Sequence, residues 1–137
     1  MNQVEVEFEK VIASKEQIAT LFDLFKKRLH KISAEATDYT EHEKFVNAHP
    51  YRCWYLIKFG DSYVGSFYIS KENTIGINVP EKFTRQVVAT ITKFVRDNYE
   101  PLPPIASVRS GRFAINVPPT NTVLTNVLEE IGGTAAQ

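Results

Sequence analysis

The residues able to do chemistry are few and scattered. The chain has one cysteine and three histidines among 137 residues. Cys53 stands between Arg52 and Trp54 in an aromatic run. A cysteine nucleophile needs a base partner, none is evident, and the thiol reads as a small packed residue. A single cysteine forms no internal disulfide, and Glu41, His42 and His49 match no metal-ligand spacing, so no disulfide framework and no metal site is expected. His42 lies between Glu41 and Glu43 and reads as a surface residue. His49 and Tyr51 flank Pro50 just before a strand, and a loop histidine there is structural or solvated unless a site claims it. Asn116 stands at a strand end. Asn121 follows Pro118-Pro119 at a helix start, where it serves the helix N-terminus, a ligand, or both.

Composition narrows what these residues can serve. Sixteen Lys and Arg balance 16 Asp and Glu, and 43% of residues are hydrophobic. Neutral balance argues against nucleic-acid binding, which favours a basic excess. No apolar run approaches the ~20 residues of a membrane helix, so no membrane association is expected. The N-terminal MNQVEVEFEKV alternates acids with apolar residues and does not read as a signal peptide. The expectation is one cytoplasmic domain over residues 1–137, large enough to bury a core without disulfide or metal.

The elements that must position these residues follow from periodicity. Val4, Val6 and Phe8 alternate with Glu5, Glu7 and Glu9, the pattern of a half-buried strand. Ser14 and Gln17 have capping-box spacing, and Ile18, Leu21, Phe22, Phe25 and Leu29 follow at helical spacing. Lys26, Lys27 and Arg28 fall in the last turn, where the helix dipole favours cations. Thr40 and Glu43 predict a second capping box and a short helix to Ala48. Tyr51–Phe59, Tyr63–Ser70 and Thr74–Val79 read as a meander of strands, the first two joined at Gly60-Asp61. Gly76 inside the third strand implies a bulge or a close approach, and the bulge is the reading taken forward. Thr84–Tyr99 is an amphipathic helix, residues 100–109 a proline-broken connector, and Arg112–Val117 a strand. Val123, Leu124, Val127, Leu128 and Ile131 form a last helix closed by Gly132-Gly133. Trp54, Tyr55, Phe67 and Tyr68 group on adjacent strands as core or, secondarily, as a wall against which substrate stacks.

The order of these elements, with IGINVPEKF and FAINVPPTNTVLTNVLEEIGG, resembles the GNAT superfamily of acetyl-CoA-dependent N-acetyltransferases. The stretch FVNAHPYRCWYLIKFGDSYVGSFYISKENTIGI is similar to a small GNAT subgroup found beside sugar-modifying genes and in phages. The resemblance spans about residues 40–133. It implies an α/β (α+β) fold with a mixed, mostly antiparallel sheet splayed at a bulge and helices on both faces. It further implies direct transfer of an acetyl group from acetyl-CoA, as co-substrate, to a primary amine, by analogy an amino sugar. The backbone of Ile77, Asn78 and Val79 and the segment Thr84, Arg85, Gln86, Val87, Val88 and Ala89 would hold the cofactor. Asn116 and Asn121 would sit beside the thioester and its arm, and His49 and Tyr51 would line the acceptor pocket.

The chain departs from that pattern at defined positions. Val87 stands where the phosphate loop has its first Gly, and a β-branched side chain narrows the approach of backbone to phosphate. Thr74 stands where the subgroup often has a Glu base, and Leu128 where many members have a Tyr acid. The last strand of the family is expected to be missing, leaving strand Arg112–Val117 with an edge that a homodimer partner would cover. These departures set a second reading beside the enzyme: a catalytically inactive GNAT-fold binding module.

Overall fold

The first strand has the predicted alternation, and its capping partner follows at once. The computed structural model describes residues 5–29 and 39–116. Strand β1 (Val6–Lys10) leads to helix α1 (Lys15–Leu29). The capping box forms as read: the Gln17 N–H donates to Ser14 Oγ at 3.2 Å, and Gln17 Oε1 accepts from the Ser14 N–H at 3.4 Å. Gln17 is also tied to β1, donating to Glu9 Oε2 at 3.0 Å and to the Lys10 carbonyl at 2.8 Å. Helix α2 (Tyr39–Asn47) begins one residue before Thr40, so Thr40 lies inside the helix instead of capping it.

Strands β2 (Cys53–Phe59), β3 (Ser62–Ile69) and β4 (Thr74–Asn78) form the meander. Helix α3 (Glu81–Asn98) and strand β5 (Ala114–Asn116) complete the described elements. The five strands lie in the order β1-β2-β3-β4-β5. Every neighbouring pair is antiparallel except β4 and β5, which run parallel. The fold is therefore the expected mixed, mostly antiparallel sheet between helices. The predicted last helix with Asn121 and Leu128, and the stretch where a further strand would follow, lie outside the described residues.

The bulge is not at Gly76. The β3–β4 register runs without interruption from Ile69↔Ile75 through Tyr68↔Gly76 to Ser66↔Asn78. The shift occurs between β2 and β3, where Ile57 faces Gly65 but Lys58 faces Tyr63, leaving Val64 as the extra residue. Gly76 is needed for the other reason a strand admits glycine: a Cβ there would run into Cε2, Cζ and Oη of Tyr68.

Each sheet face packs a different layer. Val87, Val88, Ile91 and Val95 of α3, all at most 1% exposed, pack on Tyr55, Ile57, Phe67, Ile69, Ile75 and Ile77. Each fully buried aliphatic or aromatic side chain there contributes about 1.5–3 kcal/mol of burial. The opposite face, with Trp54, Leu56 and Tyr68, packs under Ile18 and Leu21 of α1 and Val46 of α2. His42 belongs to that second layer. It is 8% exposed between Phe22 and Phe25, because it shares the inward stripe of α2 with Val46, four residues on.

Candidate functional site

The junction of β4 with its parallel neighbour is set by an asparagine. Asn73 precedes β4 in the left-handed region at φ 67° and is fully buried. Its amide donates to the carbonyls of Leu102 and Ser110 at 2.9 and 2.8 Å, and its Oδ1 accepts from the Leu102 N–H at 2.7 Å. Its own carbonyl accepts from the Ala114 N–H at 2.9 Å, starting the β4–β5 ladder. Asn73 thus fastens the connector of residues 99–113 and sets β5 against β4. Asn73 stands in the turn between β3 and β4, where the tolerance of positive φ by Asn suits it.

The described ladder runs Thr74↔Ala114, Ile75↔Ile115 and Gly76↔Asn116. Beyond it β4 continues through Ile77 and Asn78 to Val79 and Pro80. A Cβ on Gly65 would strike the Asn78 carbonyl oxygen and Val79, so Gly65 lets the end of β4 lie close over β3. Pro80 is the N-cap of α3, and the Phe83 N–H donates back to its carbonyl at 3.0 Å. Helix therefore begins at Glu81, and the segment Thr84–Ala89 is not a loop. Thr84, Val87 and Val88 are buried, with the two valines wholly inside the core. Arg85, Gln86 and Ala89 face outward on the same turns. Proline pre-sets the helical entry and no glycine interrupts residues 81–98, so helix propagates where a phosphate loop was expected. Backbone N–H groups open to an anion are those of the first turn, at Glu81 and Lys82.

Across the sheet from this corner runs a register row: Trp54 faces Tyr68, Tyr68 faces Gly76, and Gly76 faces Asn116. Residues directly opposite in a ladder share one face, here the face under α1 and α2. Tyr68 lays its phenol across Gly76 and stacks on Tyr51, with ring centroids 3.9 Å apart and planes 11° from parallel. Tyr51 and His49 each meet the Trp54 ring edge-on at 5.3 Å. Phe45 of α2, 44% exposed, closes the group at 6.0 Å from Trp54. The structure therefore brings His49 and Tyr51 together with Trp54 and Tyr68, which sequence reading had set mainly in the core.

The His49 ring has a defined protonation. Burial, then the charge of Lys71, pushes its pKa below the ordinary value, so it is neutral at pH 7. Nδ1 accepts from the Tyr51 N–H at 3.2 Å. The neutral ring then carries its proton on Nε2 and offers a donor, not a base. Thr74 supplies no base either; its N–H donates to Ser70 Oγ at 3.0 Å in the turn. The Trp54 indole N–H is buried and has no acceptor among the described residues. Cys53 faces the opposite, α3 side, where burial pushes its thiol pKa up and Tyr99 hydrogen-bonds to it. A protonated, enclosed thiol is not a nucleophile. No cluster of potential metal ligands occurs among the described residues, and no described helix is long and apolar enough to cross a membrane.

No family model matches the sequence, and no curated protein matches it. Solved structures do match along nearly the whole chain. An integron cassette protein from the mobile metagenome of V. cholerae superposes with a TM-score of 0.65 at 12% identity, over 98% of this chain and 89% of that one. An aminoglycoside acetyltransferase from an uncultured soil metagenomic sample, in complex with sisomicin, gives 0.59 at 13% identity over 96% and 90%. An aminoglycoside N-acetyltransferase in complex with CoA gives 0.59 at 12% identity over 99% and 92%. With its antiparallel meander, its parallel β4–β5 pair and α3 following β4 at once, this chain has the fold of the GNAT acetyltransferases.

Proposed function

We propose that the protein is an acyl-CoA-dependent N-acyltransferase that places an acetyl group on a primary amine. The observation that carries this reading is the parallel β4–β5 pair in an otherwise antiparallel described sheet, with β4 running past Gly76 into the start of α3. Carboxyl ends of parallel strands beside a helix N-terminus are where open sheets bind ligands. A CoA complex of an N-acetyltransferase with the same fold supports the choice of donor.

The residues present fit an acylated, amide-bearing arm laid along the backbone of Ile77–Val79. Gly65, which a Cβ would fill against Asn78 and Val79, holds that backbone in place. Acetyl-CoA would supply an activated thioester there. Anion contacts come from the first-turn N–H groups at Glu81 and Lys82 and from the cations Lys82 and Arg85, because Val87 and Val88 are committed to the core. His49 and Tyr51 line the acceptor side. The His49 Nε2–H and the Tyr68 hydroxyl orient the amine, and with no base in the row the amine proton leaves to water.

The burial of Val87 favours a second reading, a binding module of the same fold without turnover. Thermal unfolding with CoA and acetyl-CoA separates the two. Ligand at ~100 times its Kd stabilises by about 2.7 kcal/mol, a rise of several degrees in Tm for a domain of this size. A dose-dependent rise, followed by thiol release when amines are added, supports the transferase. An unchanged Tm at millimolar CoA overturns it in favour of the module.

A further inference from the structure

Helix α2 carries one histidine inside and a second at its exit, and each is seated in its neutral form. His42 is 8% exposed and lies between Phe22 and Phe25 of α1, at centroid distances of 5.2 and 5.9 Å. Its ring donates to the Ile18 backbone, and its Nε2 is buried without a partner among the described residues. A second proton would fall on that Nε2, inside an aromatic sandwich that offers it no acceptor. The charges nearby do not supply one. Lys26 of α1 stands over the Phe22 ring at 5.0 Å and is of like sign. Asp23 of α1 and Glu41, Glu43 and Lys44 of α2 are exposed, whereas Nε2 is not.

His49 follows α2 and fixes how the chain leaves it. Its Nδ1 accepts from the Tyr51 N–H at 3.2 Å, and its ring lies 5.4 Å from Tyr51 and 5.3 Å from Trp54. A proton on Nδ1 would turn that acceptor into a donor facing a donor. Lys71 of the β3–β4 turn acts on the ring as a like charge, and its neighbour Glu72 is exposed. Arg52 is engaged elsewhere, over the Tyr99 ring and on the Glu100 carbonyl. Apart from His42, the buried residue of α2 is Val46, so a titratable ring is a large share of what holds this short helix down. The α3 layer packs no histidine.

We propose that α2 is an acid-released cover: protonation of His42 and His49 frees it from α1 and uncovers Trp54 while the sheet and α3 stay folded. This holds whether or not the chain transfers acetyl groups. The sign follows from burial, which keeps both rings below the ordinary 6.5 while α2 is docked. Released, the rings take up protons that the docked ones refuse. Each histidine therefore favours release by up to about tenfold per pH unit below 6.5, and docking is complete and insensitive to pH above it.

The test is amide hydrogen exchange on the full chain at about pH 7.5 and pH 5.5, corrected for intrinsic rates and repeated in low urea. The α2 amides are expected to open in a unit of their own, with a weaker urea dependence than the β2 and β3 amides. Their opening is expected to rise at least about fivefold at the lower pH. Trp54, the only tryptophan, gives a second readout: quenching of its emission by acrylamide should rise over the same range while far-UV circular dichroism keeps the strand signal. His42→Phe combined with His49→Asn removes both titrations, and the Asn Oδ1 still accepts from the Tyr51 N–H; the pH effect should then shrink to within about twofold. His42→Gln in the same background answers the question if the Phe variant does not fold. Exchange of α2 only together with the sheet, at the same urea dependence, overturns the proposal. A rise of equal size in the double variant overturns it as well.

Discussion

Two adjacent residues of β3, Phe67 and Tyr68, look onto opposite faces of the sheet and into different chemistry. Phe67 is fully buried, its ring 5.1 Å from Tyr55 and 5.0 Å from Phe8, under the aliphatic stripe of α3. Tyr68 is half-buried, stacked on Tyr51 and laid across a glycine. Among the described residues the α3 face has no buried side-chain N or O atom without a partner, whereas the α1/α2 face contains both of those that lack one, His42 Nε2 and Trp54 Nε1. The larger buried apolar cluster lies on the α3 face, and the unpartnered polar side-chain atoms lie on the other. Single substitutions at neighbouring positions should therefore part company, one lowering stability and the other function.

The largest expected effect is Phe67→Ala, which opens a cavity at the centre of the α3 face and should cost about 3–5 kcal/mol in urea unfolding. Its neighbour substitution Tyr68→Phe removes only a hydroxyl from the accessible face and should change unfolding free energy by less than about 1 kcal/mol. Equal losses at the two positions would show that the faces do not differ as described. Next in size is Asn73→Ala. It removes the acceptor of the Leu102 N–H and the donor to two carbonyls, and puts alanine, which tolerates positive φ less well than asparagine, in the left-handed region. Leaving buried polar groups unsatisfied should cost about 1–3 kcal/mol. Because Asn73 fastens the connector to β5, proteolysis should then cut within residues 99–113 first, and unchanged protection there would refute the role.

The difference between the faces explains what could be read from the sequence. The strands of the meander and the α3 stripe Val87, Val88, Ile91 and Val95 were legible because burial on one side imposes a period, and so was the Ser14–Gln17 capping box, which depends on local spacing. Gly76 was misread as a bulge, since an interior glycine signals close approach without naming the approaching group; the Tyr68 ring comes from the neighbouring strand. The Thr84–Ala89 segment was matched to a phosphate loop by alignment of positions, yet its residues have helical chemistry and Pro80 starts the helix three residues earlier. His42 was assigned to the surface from its acidic neighbours, although its position relative to Val46 placed it on the inward stripe. The row of Trp54, Tyr68 and Gly76 was beyond sequence reading because it depends on the register of separate strands.

Gly76→Ala probes the row directly. The added methyl collides with the Tyr68 ring, which must swing away from Tyr51, and overpacking of this kind should cost about 1–3 kcal/mol. In a Tyr68→Ala background the same substitution should cost far less, because the space is then empty. A penalty that persists in the double variant would mean that backbone, not the ring, sets the need for glycine. A measured coupling near the full single-variant cost would confirm the side-chain origin.

The smallest expected effect is a pH dependence that belongs to the α1/α2 layer and not to the α3 face. His42 lies between Phe22 and Phe25, its Nε2 is buried without a partner, and burial holds its pKa below the ordinary 6.5, partly offset by a hydrogen bond to the Ile18 backbone. Between the lowered folded value and 6.5 the unfolded chain binds a proton that the folded chain does not. Stability therefore rises with pH through that window, is complete above it, and falls as acid protonates the unfolded chain first. Glu9, lowered by its bonds to Gln17 and Tyr63, adds a loss of the same sign at more acidic pH, and His49 adds one in the window of His42. His42→Phe keeps the ring sandwich and removes one titration. The drop in urea midpoint between about pH 7.5 and pH 5.5 should accordingly be smaller in the variant than in the natural chain. A drop of equal size in both would assign the acid sensitivity of this window to His49 and take His42 out of the account, whereas a smaller one ties it to the docking of α2 on α1.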